Sequence, residues 1–150
     1  MVQGVGCVSG AGVEGHIAEF GTMSGRSASV LAQSLAFFSK SWKISDQRLG
    51  LPERKLYLFD SFKGLPESKI DVDKKAPYVS SGIWGQGTCK GLAKDKLLTR
   101  CNKYLKEDRI VIFDGWFSET LPLLEEDIKF ALVHIDSDLY ESALQVLNYF

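Results

Sequence analysis

The stretch His16-Ile-Ala-Glu-Phe-Gly-Thr-Met-Ser-Gly-Arg-Ser-Ala-Ser-Val-Leu-Ala32 decides the fold. His16 to Phe20 is a short apolar run that reads as a buried strand. Gly21-Thr22-Met23-Ser24-Gly25 then turns the chain, and from Arg26 to Phe38 Ala, Leu, Val and Phe recur at helical spacing. A strand that feeds a helix through a glycine turn gathers backbone N–H groups and the positive end of the helix dipole at one point. Such a point suits a charged or polar ligand group. Further apolar runs downstream also end on polar residues, which predicts an α/β domain with a mostly parallel sheet that delivers those residues to one edge.

The turn itself narrows the ligand. A dinucleotide fold carries G-x-G-x-x-G, but Thr22 and Met23 follow Gly21, so the second glycine is missing. A P-loop has four residues between its glycines and a Lys before Ser or Thr; here three residues separate Gly21 from Gly25, and Arg26 precedes Ser27. What remains is an acidic residue, Glu19, one position before a Gly-x-x-x-Gly turn. A carboxylate there repels phosphate and welcomes ammonium. The pattern fits a ligand with a cationic amino-acid end such as S-adenosylmethionine, although a strand-glycine-helix turn also occurs in α/β proteins of many functions.

Composition sets the outer bounds. The 150 residues suffice for one domain, and 45% hydrophobic with 25% charged residues describes a soluble globular chain with a core. A net charge of -1 with no basic stripe speaks against nucleic acid. No stretch is apolar for long enough to cross a membrane, and no secretory leader is visible. Cys7, Cys89 and Cys101 are odd in number and unpaired in motif, as expected for free thiols in a reducing cytoplasm.

Residues 1–14 are rich in Gly, Val and Ser without a clear period, and Gly4, Gly6, Gly10 and Gly12 predict a flexible lead-in rather than a helix. Ser39 to Arg54 reads as a polar insert. KLYLF (Lys55 to Phe59) reads as the second strand and ends at Asp60, where a doubly wound sheet places an acid that accepts ribose hydroxyls. The competing reading of Asp60 is a cap for the segment after it. Ser61 to Lys90 reads as a long loop of lid or substrate-loop type, on which Trp84 either covers a ligand or tucks into the core. Gly91 to Leu105 returns to helical spacing. RIVIF (Arg109 to Phe113) is the third strand, followed by Gly115, where backbone can approach a flat ligand, and by Trp116 and Phe117, which either stack on it or pack inward. Ser118 to Asp127 reads as a short outer helix. FALVHI (Phe130 to Ile135) is the fourth strand, apolar throughout and so expected to be buried on both faces. It delivers Asp136-Ser137-Asp138 to the edge that holds Glu19 and Asp60, with His134 as a hydrogen-bonded core histidine. A helix opens at Leu139, and Asp136 or Asp138 is its alternative use as an N-cap.

AEFGTMSGRS, LFDSFKGLPE, DGWFSETLP and HIDSDLYES, in this order and at these separations, resemble the macrocin O-methyltransferase family of sugar O-methyltransferases. The likeness spans about residues 15 to 144. It implies a Rossmann-like class I methyltransferase fold with S-adenosylmethionine as donor. By resemblance, Glu19, Gly21, Thr22, Ser24 and Gly25 hold the donor's amino-acid end. Asp60, with Ser61 and Phe62, serves the ribose, and Gly115 and Trp116 lie near the adenine. Asp136 matches a ligand of a divalent metal, usually Mg2+, and Asp138 matches the base that takes the proton of the sugar hydroxyl. The chemistry suits these types: a hard cation on the alcohol oxygen eases deprotonation, and a nearby carboxylate takes the proton during in-line transfer.

The remaining family metal ligands, two adjacent aspartates, fall on a strand beyond Phe150. The resemblance thus implies that residues 15–150 are a partial methyltransferase domain, truncated after the fourth strand and its helix, with Asp136 as the sole ligand present. It also implies an exposed apolar edge at FALVHI and self-association into homo-oligomers. The expected acceptor is a small molecule or glycan, and the expected compartment is the cytoplasm. A non-catalytic methyl-donor-binding module is the first alternative, and an NAD-dependent Rossmann oxidoreductase the second. No G-x-S-x-G elbow supports a hydrolase.

Overall fold

A computed structural model describes residues 1–150, in which the four apolar runs form strands β1 (His16–Phe20), β2 (Leu56–Asp60), β3 (Ile110–Asp114) and β4 (Phe130–Ile135). Their β-branched and aromatic residues favour the pleated surface. Around them lie α1 (Val2–Gly10), α2 (Arg26–Ser41), α3 (Lys43–Leu49), α4 (Asp71–Lys75), α5 (Pro77–Ser80), α6 (Lys94–Cys101), α7 (Phe117–Thr120) and α8 (Tyr140–Leu147). The sheet order is β3-β2-β1-β4 and every neighbouring pair is parallel. From β1 the chain winds outward to β2 and β3, then returns to lay β4 on the other side of β1. That reversal is a topological switch point, and crevices in open α/β sheets form there, beyond the C-terminal strand ends.

Alternation along the strands divides the core into two layers. Ile17, Leu56 and Leu58 meet Val5 of α1, Leu31 and Leu35 of α2 and Leu97 of α6 on one face. Ala18, Phe20 and Phe59 meet Leu121, Leu124 and Val146 on the other. Phe20 stacks on Phe59 at 4.3 Å between ring centroids, and Phe59 on Phe113 at 4.7 Å. Each such pair adds about 0.5–1.5 kcal/mol beyond burial. The ladder fixes the register one residue below the rim, so Asp60 and Asp114 emerge side by side. At the opposite edge the Arg54 guanidinium donates to the carbonyl of Gly15, and Arg109 donates to that of Arg54, fastening the strand starts together.

Several expectations need correction. Residues 2–10 are a helix, not a flexible lead-in, and Val5 is fully buried beneath it. The glycines are contact points: a Cβ on Gly6 would lie 2.8 Å from the Phe38 ring, and one on Gly4 or Gly10 would touch Leu132 or Trp42 at 3.4–3.5 Å. Close packing, rather than chain freedom, explains their number. The insert after the first helix is itself helical, as α2 continues to Ser41 and α3 follows. The loop from Ser61 to Lys90 contains α4 and α5. β4 is not buried on both faces; all six of its residues are half-exposed, because β1 is its only strand partner.

Candidate functional site

All four strand ends open into one cavity of about 380 Å³. Gly21 and Met23 enter its wall from the turn after β1, and Asp60 and Ser61 from β2. Gly115 and Trp116 enter from β3, and Asp136 and Ser137 from β4. The segment between β2 and α6 closes one side with Leu65, Glu67, Lys69, Gln86 and Cys89, and α8 closes another with Glu141, Ser142 and Gln145. The non-glycine residues with positive φ are Met23, Phe62, Cys89 and Asp138. Met23 and Cys89 line the cavity, and the other two adjoin Ser61 and Ser137, which do. Backbone strain of this kind collects at functional sites, where surrounding structure holds it in place.

Asp60 organises the glycine turn. Its Oδ2 accepts hydrogen bonds from the Thr22 backbone N–H (2.7 Å), the Thr22 hydroxyl (3.0 Å) and the Met23 N–H (3.1 Å), and its Oδ1 accepts from the Phe62 N–H (2.8 Å). Oδ1 keeps an acceptor site free, since each carboxylate oxygen takes about two hydrogen bonds. Gly21 has φ +86°, and a Cβ there would stand 2.2 Å from the Asp136 carbonyl oxygen, so only glycine lets the ends of β1 and β4 meet. On its outer side the turn is gripped by the Leu92 N–H, which donates to the Met23 carbonyl at 2.8 Å, and by Arg100, which donates to that of Ser24.

Glu19 is fully buried below this turn. Strand alternation sends it to the α2 face, where Oε1 lies 3.2 Å from His134 Nδ1 and Oε2 has no partner. Burial raises its carboxyl above the ordinary range, with the Ser27 side chain and the His134 contact pulling the other way. When ionised, it lies under the start of α2, at the positive end of the helix dipole.

After β4 the Asp136 N–H donates to the Phe20 carbonyl at 2.8 Å, and Asp138 adopts φ +64°. Neither aspartate caps α8. Its N-cap is Leu139, and the acceptor is Asp73 of α4, whose Oδ1 and Oδ2 take the N–H groups of Tyr140 (2.7 Å) and Glu141 (3.1 Å). Asp136 and Asp138 are left exposed. Partial desolvation, and then the Asp136 charge, raises the Asp138 carboxyl above its usual value.

The model of the macrocin-O-methyltransferase (TylF) family matches residues 2–150. The chain belongs to that family. Among solved structures it is similar to the calicheamicin methyltransferase CalS11, with a TM-score of 0.68 and 26% identity over 99% of this chain and 57% of that one. It shares its fold with the O-methyltransferase NovP, with a TM-score of 0.65 and 23% identity over 99% of this chain and 56% of that one. The chain therefore spans a little over half the length of these structures. No curated protein matches it significantly.

Of the residues singled out in sequence, the cavity wall contains Gly21, Asp60, Ser61, Gly115, Trp116, Phe117 and Asp136. Thr22, Ser24, Gly25 and Phe62 shape the turn and its clamp without lining the cavity, and Glu19 lies beneath it. Asp138 sits between two wall residues, Ser137 and Leu139, without lining the cavity itself. Trp84 does not cover the cavity; it stacks on Tyr78 at 4.8 Å between ring centroids. Asp73, Gly91 and Arg100 were not legible as site residues, since each acts on a turn far away along the chain. A Cβ on Gly91 would come within 1.7 Å of the Met23 carbonyl oxygen, and only the folded contact reveals it. No group of three or more His, Cys, Asp or Glu side chains is placed to hold a metal. Mg2+ takes near-octahedral oxygen coordination, so Asp136 with the residues around it does not fit that ion unaided.

Proposed function

We propose that this chain forms the donor-binding part of an S-adenosylmethionine-dependent O-methyltransferase whose acceptor is a sugar hydroxyl on a glycan or glycosylated small molecule. The observation that carries the reading is the joining of four strand ends in one cavity, with Asp60 tied to the glycine turn. Family membership and the likeness to CalS11 support the reaction class. When bound, S-adenosylmethionine supplies an electrophilic methyl group on a sulfonium sulfur. Gly21 and the turn give its amino-acid end a backbone surface. Asp60 offers Oδ1 to the ribose hydroxyls, and Gly115 and Trp116 face the adenine. Glu19 acts from below, where its ionised form favours a cationic group above the turn. Asp138 takes the proton of the acceptor hydroxyl as that oxygen becomes the nucleophile, and its raised proton affinity suits a base.

In a metal-assisted form of the reaction Asp136 would offer one carboxylate to the divalent cation, which would ease deprotonation of the acceptor hydroxyl. A non-catalytic donor-binding module is the second reading, favoured by the lack of a clustered metal-ligand set. Transfer of labelled methyl groups to a panel of glycosides, with and without Mg2+, separates the two. The proposal predicts acceptor-dependent transfer that falls by about 100-fold or more in Asp138→Asn, with S-adenosylhomocysteine affinity unchanged. Binding without transfer supports the module, and an unaltered rate in Asp138→Asn removes the base from Asp138.

A further inference from the structure

The N–H groups that open a helix need acceptors, and a side chain just before the helix ordinarily provides one. α8 obtains both of its acceptor oxygens from elsewhere. Asp73 lies 67 residues before Tyr140 in sequence, in the short helix α4 of the segment that walls the cavity, and it is 2% exposed. Its two carboxylate oxygens take one N–H each, from Tyr140 and Glu141. A local acceptor was at hand: Asp138 is two residues before Tyr140, yet it sits at φ +64° and makes no cap. The acidic turn is thus pinned at both ends, by the Asp136 N–H on the Phe20 carbonyl and by Asp73 on the first turn of α8. Between these pins the Leu139 N–H closes on the Ser137 carbonyl at 2.7 Å.

We infer that Asp73 is a positioning residue: by capping α8 from α4 it releases Asp138 from capping and sets the conformation of the Asp136-Ser137-Asp138 turn at the cavity mouth. It touches no substrate and acts through the turn alone. The consequence for turnover rests on the methyltransferase reading, whereas the consequence for the turn does not.

Amide NMR of the full chain tests the inference. In Asp73→Ala the Tyr140 and Glu141 amides lose their hydrogen bond and exchange roughly tenfold or more faster. The Ser137 and Asp138 amides shift with them, while those of Gly21, Thr22 and Met23 stay in place. Asp73→Asn keeps an acceptor oxygen and restores part of the pattern. Tyr140→Pro removes one donor from the other side. Proline is tolerated at the first helical position, and Leu139 before it already has an extended ψ of 141°. This variant shifts the same turn amides even if Asp73→Ala folds poorly. In an assay with acceptor, Asp73→Ala lowers kcat by about tenfold to a hundredfold with the donor KM unchanged. Turn amides that stay put in both variants overturn the inference, leaving Asp73 an ordinary cap. So does a shift that spreads to Gly21–Met23 with loss of S-adenosylhomocysteine binding. A parent chain that does not bind S-adenosylhomocysteine contradicts the functional reading instead, and the amide pattern still decides the role of Asp73.

Discussion

A carboxylate closed off from water with one unpartnered oxygen, as at Glu19, weighs against the folded state whenever it is ionised. Its folded pKa is raised, so the native chain holds the proton more tightly than the unfolded chain does. Stability from this group is therefore complete below its ordinary value of 4.5 and is lost as pH rises through the raised folded value. Glu19→Gln removes the penalty and keeps an acceptor for His134. We predict that its melting temperature matches the parent near pH 4 and exceeds it at pH 7–8 in thermal scans. A deficit at neutral pH would mean that the charge under α2 stabilises more than its burial costs. At this scale the sequence announced residue types better than their tasks. Asp60 was legible as an acid at a strand end, but its bonds to Thr22 and Met23 reach back about 38 positions and belong to the assembled sheet.

Among the elements, the glycine turn is held by contacts that allow no side chain. Gly21→Ala places a Cβ 2.2 Å from a carbonyl oxygen at a φ of +86°. The strain and overpacking cost roughly 1–3 kcal/mol or more. That lowers the melting temperature by about 2–4 °C per kcal/mol for a chain of this size. Gly50→Ala is the control, as its φ is similarly positive and nothing lies within 4 Å of its Cβ. Equal losses in the two would show that strain alone, not the meeting of β1 and β4, decides Gly21. The strands were legible because short apolar runs bounded by turns leave few other readings. α1 was not, because its glycines carry the same letters whether they loosen a loop or admit Phe38 and Trp42 against a helix. α4 was hidden likewise, its role fixed by Asp73 and a helix 67 residues on.

For the whole molecule, parallel strands in the order β3-β2-β1-β4 turn four separate sequence segments into one cavity wall. The same order leaves β4 with a free side, and half-exposed Phe130, Leu132 and Val133 beside unpaired backbone groups make an adhesive edge. The purified chain is predicted to elute from size-exclusion columns above its monomer size in a concentration-dependent way. A monodisperse monomer at all concentrations would show that this edge is protected. We propose that the cavity at the switch point receives a methyl donor through the Asp60-clamped turn. Calorimetry with S-adenosylhomocysteine tests it most directly. We predict single-site binding to the parent chain, weakened by about tenfold or more in Asp60→Ala, and no comparable binding of NAD. Equal affinity in parent and variant, or saturation by NAD in preference to S-adenosylhomocysteine, would contradict it.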